Sequence, residues 1–320
     1  MPPIQRRRLG LLAALPFAMP SISARAQDNK LVRFIVPYPP GGGTDIIARL
    51  LLPVISTLPG APVTVIENRP GAGGNVGTEV LAKSAPDGQT LGFVTIGTHG
   101  TNPWLFARQG FDPLTDFSFI ALVSRQPTAV AVAIDSPLRS LDDLLALKTE
   151  TPAASPGNGT SGHLGVEMLR VMGRLPLMHV PYRGSGGAWA DLLGGRAGLI
   201  VDNLPSAMPH QQSGRVRILA VTGAERSALL PDVPTVQEKL PGYLVESWNG
   251  IAGPVGLPAE VVARWSALIS AATRNPALKA RYAELGIVLP ESSPTHLASF
   301  VREQMAFWQR MIAEANIRLE

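Results

Sequence analysis

Cysteine is absent from all 320 residues. That excludes thiol catalysis, cysteine-ligated metals and disulfides. Charge is sparse: Asp, Glu, Lys and Arg together make up 16% of the chain, and aromatics only 6%. No Gly-Lys pair occurs, so the phosphate-cradling P-loop is missing. The five histidines, at 99, 163, 179, 210 and 296, form no H-x-x-H or H-E-x-x-H pair. Their spacing gives little support for a metal site, and no cofactor is expected. No basic run offers the concentrated positive face that a nucleic-acid partner needs. No segment beyond the first 26 residues has 18 consecutive apolar residues, so no transmembrane helix is predicted.

Glycine and proline are plentiful, with 32 and 30 residues, and mark many tight loops between ordinary elements. Hydrophobic residues make up 45%, enough for a globular chain, and the length suits two cores better than one. The first 26 residues stand apart. Arg6, Arg7 and Arg8 precede an apolar stretch over 9–22 that is too short to span a bilayer, and Ala24-Arg25-Ala26 has the small-x-small form of a cleavage site. This reads as a secretory signal over 1–26, cleaved after Ala26, and an exported, periplasmic protein. Sec and twin-arginine export both fit. The signal carries four arginines and no acid, which leaves 24 basic and 24 acidic residues in the mature chain.

Strand, Gly-rich loop and helix then alternate. Residues 31–38 form an apolar run suited to a buried strand, followed by Pro39-Pro40-Gly41-Gly42-Gly43. Thr44 and Asp45 are good N-cap types for the helix that follows, in which Pro53 should produce a kink or an end. Further strands are predicted at 63–66, 90–96, 129–134, 177–182, 197–201 and 217–221, with helices near 78–84, 141–147, 163–172, up to 193, 259–273, 276–285 and 294–315. Residues 150–156 (ETPAASP) read as a poor strand. The pattern indicates an α/β fold with a mainly parallel sheet.

One internal echo carries chemistry. Val36-Pro37-Tyr38 is followed after three residues by Gly42-Gly43, and Val180-Pro181-Tyr182 is followed after three by Gly186-Gly187, at one constant offset. Each copy is a strand end, a Gly loop and a helix start. Ligands of open α/β sheets sit outside the carboxyl ends of the strands. A helix N-terminus presents unpaired N–H groups and the positive end of its dipole, which suits a carboxylate or phosphate without any cationic side chain. Each such end contributes about 0.3–2 kcal/mol, and each charge-assisted hydrogen bond about 1.5–3 kcal/mol, against the roughly 8 kcal/mol of micromolar binding. Two ordinary βα turns would give the same echo by coincidence.

Other candidates have alternative readings. The run 157–162 matches G-x-G-x-x-G, but a poor strand precedes it and no acid ends the next strand, so a dinucleotide site is disfavoured. Ser161 beside His163 suggests a hydrolase nucleophile and base, or a ligand-donating serine at a helix start beside a structural histidine. Thr98 and His99 follow the strand over 90–96, where ligands bind, although a satisfied loop histidine reads equally well. Asp45 can touch a ligand or cap a helix, and Asp202 can reach the cleft or serve structure.

Seven blocks in order, VPYPPGGGTD (36–45), ENRPGAGGNVG (67–77), APDGQTL (85–91), GTSGHLGVEML (159–169), VPYRGSGGAWADLLGG (180–195), LPDVPTVQE (230–238) and SWNGIAGP (247–254), resemble the Bug/TctC family. These are the extracytoplasmic receptors of tripartite tricarboxylate transporters. The resemblance implies a two-lobed periplasmic-binding-protein, or Venus flytrap, fold. It implies a non-enzymatic, monomeric receptor for a small carboxylate, held largely by backbone groups and ordered water, with permease subunits as membrane partners. A sensor that signals without transport is the alternative. Carried onto this chain, the ligand loops are Gly41, Gly42, Gly43, Thr44 and Asp45 in one lobe and Gly184, Ser185, Gly186 and Gly187 in the other, aided by Thr160, Ser161 and Asp202. The implied lobes are 27–126 with 250–320, and 127–249, hinged near Thr128 and Trp248. Two departures stand out: Pro53 interrupts a helix usually continuous in the family, and Arg183 stands where lysine is common.

Overall fold

The computed structural model describes residues 31–290 and 292–319. The expected signal over 1–26 lies outside them. Strands β1 (Val32–Val36), β2 (Thr64–Asn68) and β3 (Thr90–Thr95) form a parallel group in the order β2-β1-β3. A second parallel group, β5 (Thr151–Ser155), β6 (Leu177–Pro181) and β7 (Leu199–Asn203), runs β7-β5-β6.

Two long strands join these groups. β4 (Phe117–Ala133) pairs antiparallel with β9 (Glu246–Pro254) through Pro127, and from Thr128 onward with β7 and β8 (Val216–Val221). β9 in turn pairs antiparallel with β3. The expected parallel strands are therefore present, and the crossover strands make each sheet mixed. A strand that leaves one sheet and continues into the other enters the second against its parallel neighbours.

Helix α1 (Gly43–Ser56) buries Ile47, Leu51, Leu52 and Ile55 completely or nearly so, each burial stabilising by about 1.5–3 kcal/mol. The helix runs three residues past Pro53 and does not end there. Pro53 is exposed, so the carbonyl its missing N–H would have satisfied, that of exposed Arg49, can face water. Thr44 and Asp45 lie inside the first turn; Gly42 holds the N-cap position without a side-chain cap.

Helix α2 spans Asn75–Ala82, α3 Asn102–Leu105 and α4 Leu141–Leu145. Helices α5 (Ser161–Met172), α6 (Ser185–Leu193) and α7 (Leu204–Gln212) pack on the second sheet. α8 (Ala259–Thr273), α9 (Pro276–Ala283) and α10 (Pro294–Glu314) follow β9, and α8 and α10 return to cover the first. The poor strand reading of 150–156 is corrected: β5 lies between β6 and β7, where small, buried Ala153 and Ala154 fit a crowded central position. No helix among the described residues is long and apolar enough to cross a membrane.

Candidate functional site

Each parallel strand hands the chain to a helix at its carboxyl end, and these ends meet between the two sheets. A cavity lies there, lined from the first sheet by Tyr38, Gly42, Gly43, Thr44 and Thr95, and from the second by Thr160, Ser161, Gly184, Ser185 and Asn203. Ser247, on β9, lines it as well. No lysine, arginine, aspartate or glutamate is among its lining residues. It adjoins a wider mouth that shares Tyr38, Pro39, Thr160 and Gly184 and has exposed Arg183 at its edge.

Three helices begin at this cavity, α1, α5 and α6, and the N-cap residue of a fourth, Asn203 of α7, lines it. The first intrahelical bond of α1 runs from the Ile46 N–H to the Gly42 carbonyl, 3.0 Å. The N–H groups of Gly43, Thr44 and Asp45 therefore have no partner inside the helix. The Gly-rich sequence lets the loops come close. A β-carbon at Gly43 would stand 2.7 Å from Asn203 Nδ2, and one at Gly184, whose φ is +111°, would stand 2.9 Å from Pro39 Cγ. Loops of the two sheets thus touch directly across the cavity.

The side chains around it are fixed by one another. Thr44 Oγ1 donates to Asn249 Oδ1 (2.8 Å), and Asn249 Nδ2 donates to Ser124 Oγ (3.0 Å), which ties α1 to both crossover strands. Tyr38 Oη bonds Thr95 Oγ1 at 2.9 Å; burial pushes the phenol up to about 12, so the ring stays protonated. Ser161 Oγ donates to Asn203 Oδ1 at 3.2 Å.

Two acids lie just behind the wall. Asp45 accepts from the Gly41 N–H (2.9 Å), from Asn68 Nδ2 (3.0 Å) and from Arg49 Nε (2.8 Å). Burial opposes its ionisation, but Arg49 and the N–H donors outweigh it and hold its pKa below the ordinary value. Asp202 accepts from Trp189 Nε1 (2.8 Å) and from the Asn203 N–H (2.7 Å). Full burial pushes it up to about 6, against the pull of Ser185, Asn203 and Trp189.

The sequence candidates divide. Gly42, Gly43, Thr44, Thr160, Ser161, Gly184 and Ser185 line the cavity. Gly41, Asp45 and Asp202 support its wall, while Gly186 and Gly187 are exposed on the first turn of α6 and do not line it. Thr98 and His99 turn away. A π turn (Gly97–Thr101) follows β3 and carries His99 among Phe111, Phe117 and Phe119, ring centroids 4.6–6.0 Å away. There Thr98 Oγ1 bonds His99 Nδ1 at 2.9 Å, and burial drives the imidazole down to about 3. Ser161 and His163 do not pair as nucleophile and base. The serine bonds Asn203, and His163 Nδ1 accepts the Gly159 N–H at 3.2 Å. Tyr38, Thr95, Asn203 and Ser247 were not among the sequence candidates. Tyr38 lies in the echo itself, and Asn203 directly follows Asp202, so both were within reach.

Known proteins resemble this chain over nearly its whole length. The family model described as tripartite tricarboxylate transporter family receptor matches residues 47–317. A protein encoded in the tcbD–tcbE intergenic region of Pseudomonas sp. (strain P51) is 35% identical over 98% of this chain and 96% of its own. A solved Rhodopseudomonas palustris protein with adipate superposes with a TM-score of 0.86 at 32% identity, covering 90% of this chain and 98% of its own. MatC of the same organism, with bound malate, gives 0.82 at 30% identity, covering 88% and 98%.

Proposed function

Because this chain belongs to the family of tripartite tricarboxylate transporter receptors, we propose that its cavity captures a small organic acid by its carboxylate and that the chain delivers it to the membrane subunits of such a transporter. It is a periplasmic solute-binding protein with the two-lobed fold of that class. The family is one of receptors, and capture without turnover is the reading for this chain.

The observation that carries the reading is the convergence of helix N-termini from both sheets on one cavity lined by no charged side chain. Backbone N–H groups and positive dipole ends favour an anion there. Thr44, Thr95, Ser161, Ser185, Asn203 and Ser247 add hydroxyl and amide partners. The relatives solved with adipate and malate support a di-acid, and Arg183 at the mouth supplies a cation for a second, outlying carboxylate.

We place lobe one at 27–126 and 250–320, and lobe two at 127–249. The hinge then falls where β4 changes partners at Pro127 and Thr128, and in β9 near Trp248. The chain acts as a monomer and is exported on a signal ending at Ala26. Calorimetric titration against a panel of mono-, di- and tricarboxylates tests the proposal. At least one acid should bind at micromolar or tighter affinity; a folded protein that binds none refutes it.

A further inference from the structure

A second cluster lies on lobe two, outside the solute cavity. His163 and Glu167 stand one turn apart on α5, and His179 lies on the neighbouring edge strand β6. One ligand atom from each falls within 4.8 Å of the other two, and the two imidazole centroids are 4.4 Å apart. The three border a surface depression that reaches Arg318 near the C-terminus. The sequence hid this group. Its motif is H-x-x-x-E on a helix, completed by a histidine twelve residues beyond the acid, and topology alone brings the third member in.

We infer that His163, Glu167 and His179 form a binding site for a divalent transition-metal ion of the zinc class, separate from the solute cavity. Two imidazoles and one carboxylate suit zinc, nickel or copper, and three protein ligands leave a fourth tetrahedral position for water. The surrounding bonds orient the donors. His179 Nε2 bonds Ser155 Oγ at 2.7 Å, which leaves Nδ1 free to face the metal. Glu167 Oε2 accepts from Arg170 Nε at 2.9 Å and Nη2 at 2.6 Å, and its second oxygen stays available.

Donor atoms on one tetrahedral zinc ion lie about 3.4 Å apart, so the most separated pair must draw together by up to about 1.4 Å. Half-buried His179 can move that far. Ligation through His163 Nε2 moves its proton to Nδ1 and gives up the long bond from the Gly159 N–H. Gly159 directly precedes Thr160 and Ser161 on the cavity wall, so metal at this site adjoins the solute site without sharing a residue with it.

The full chain, free of any histidine tag and washed with chelator, is titrated with zinc chloride by calorimetry, and with cobalt(II) for its visible spectrum. One zinc per chain is expected, with an intense tetrahedral cobalt band. His179→Gln and Glu167→Gln should each weaken zinc about tenfold or more and abolish the cobalt band. His296→Gln, at an exposed and remote histidine, should change neither. His179 is half-buried, and thermal unfolding of its variant confirms a folded comparison even where the deeper His163→Gln fails to fold. Absence of zinc binding by the folded wild type overturns the site. So does zinc binding that His179→Gln and Glu167→Gln leave intact, which marks adventitious surface binding.

Discussion

Two buried carboxylates flank the same cavity wall and titrate in opposite directions, and the cause is what each one touches. Asp45 has a guanidinium within 2.8 Å; Asp202 has only neutral donors. Asp45 therefore contributes stability that is present above its unfolded pKa and lost as pH falls. Asp202 has the reverse sign, because its folded pKa, about 6, lies above the ordinary value of 3.8. Between those two pH values the native state binds more protons than the unfolded state, so stability from this group falls as pH rises through that window. Ionised and buried above pH 6, Asp202 costs about 3 kcal/mol. Asp202→Asn removes the charge. Denaturant unfolding at closely spaced pH values should show the variant gaining on the wild type by about that amount between pH 4 and 6. Parallel curves would show that Asp202 is ionised across the whole range.

At the scale of elements, the glycines at helix starts decide how closely the lobes approach. In Gly43→Ala the new β-carbon would meet Asn203 at 2.7–3.1 Å, and this contact joins the two lobes and not the inside of either. Solute affinity should fall about tenfold, a loss of about 1.4 kcal/mol in the closed state, while melting without solute changes little. Calorimetry beside a thermal melt separates the two effects. The same loops explain what the sequence could and could not disclose. β1, β3 and α5 announce themselves by apolar runs or helical spacing after glycine, and the echo marked both loops of the cavity. The continuity of β4 did not, because Ser124, Arg125, Gln126 and Pro127 separate its apolar runs 117–123 and 129–133. Pairing with β9 holds it as a strand, with Arg125 also ion-paired to Glu246. α7 was hidden by Pro205 and Pro209, the first tolerated at a helix start. His99 lies off the cavity, as the loop-histidine alternative has it, because a π turn carries it into the phenylalanine cluster.

At the scale of the molecule, closure needs a contact that exists only when the lobes meet, and one lies away from the solute. Thr101 Oγ1, from the π turn of lobe one, donates to the Gly159 carbonyl of lobe two at 2.8 Å, and Thr101 is fully buried. Neither residue lines the solute cavity. When the lobes separate, water can take both partners, so the bond counts only toward the closed state. Thr101→Val keeps the shape and removes the donor, leaving the Gly159 carbonyl buried and unpaired on closure. The loss is about 1 kcal/mol, which shifts the open–closed balance about fivefold and weakens every solute by that same factor. Affinity should therefore drop uniformly across a carboxylate panel, and solute-free melting should be unchanged. The compaction that saturating solute produces in small-angle scattering should still occur, at higher solute concentration. A variant that weakened one acid and spared another would place Thr101 in solute recognition, not in closure.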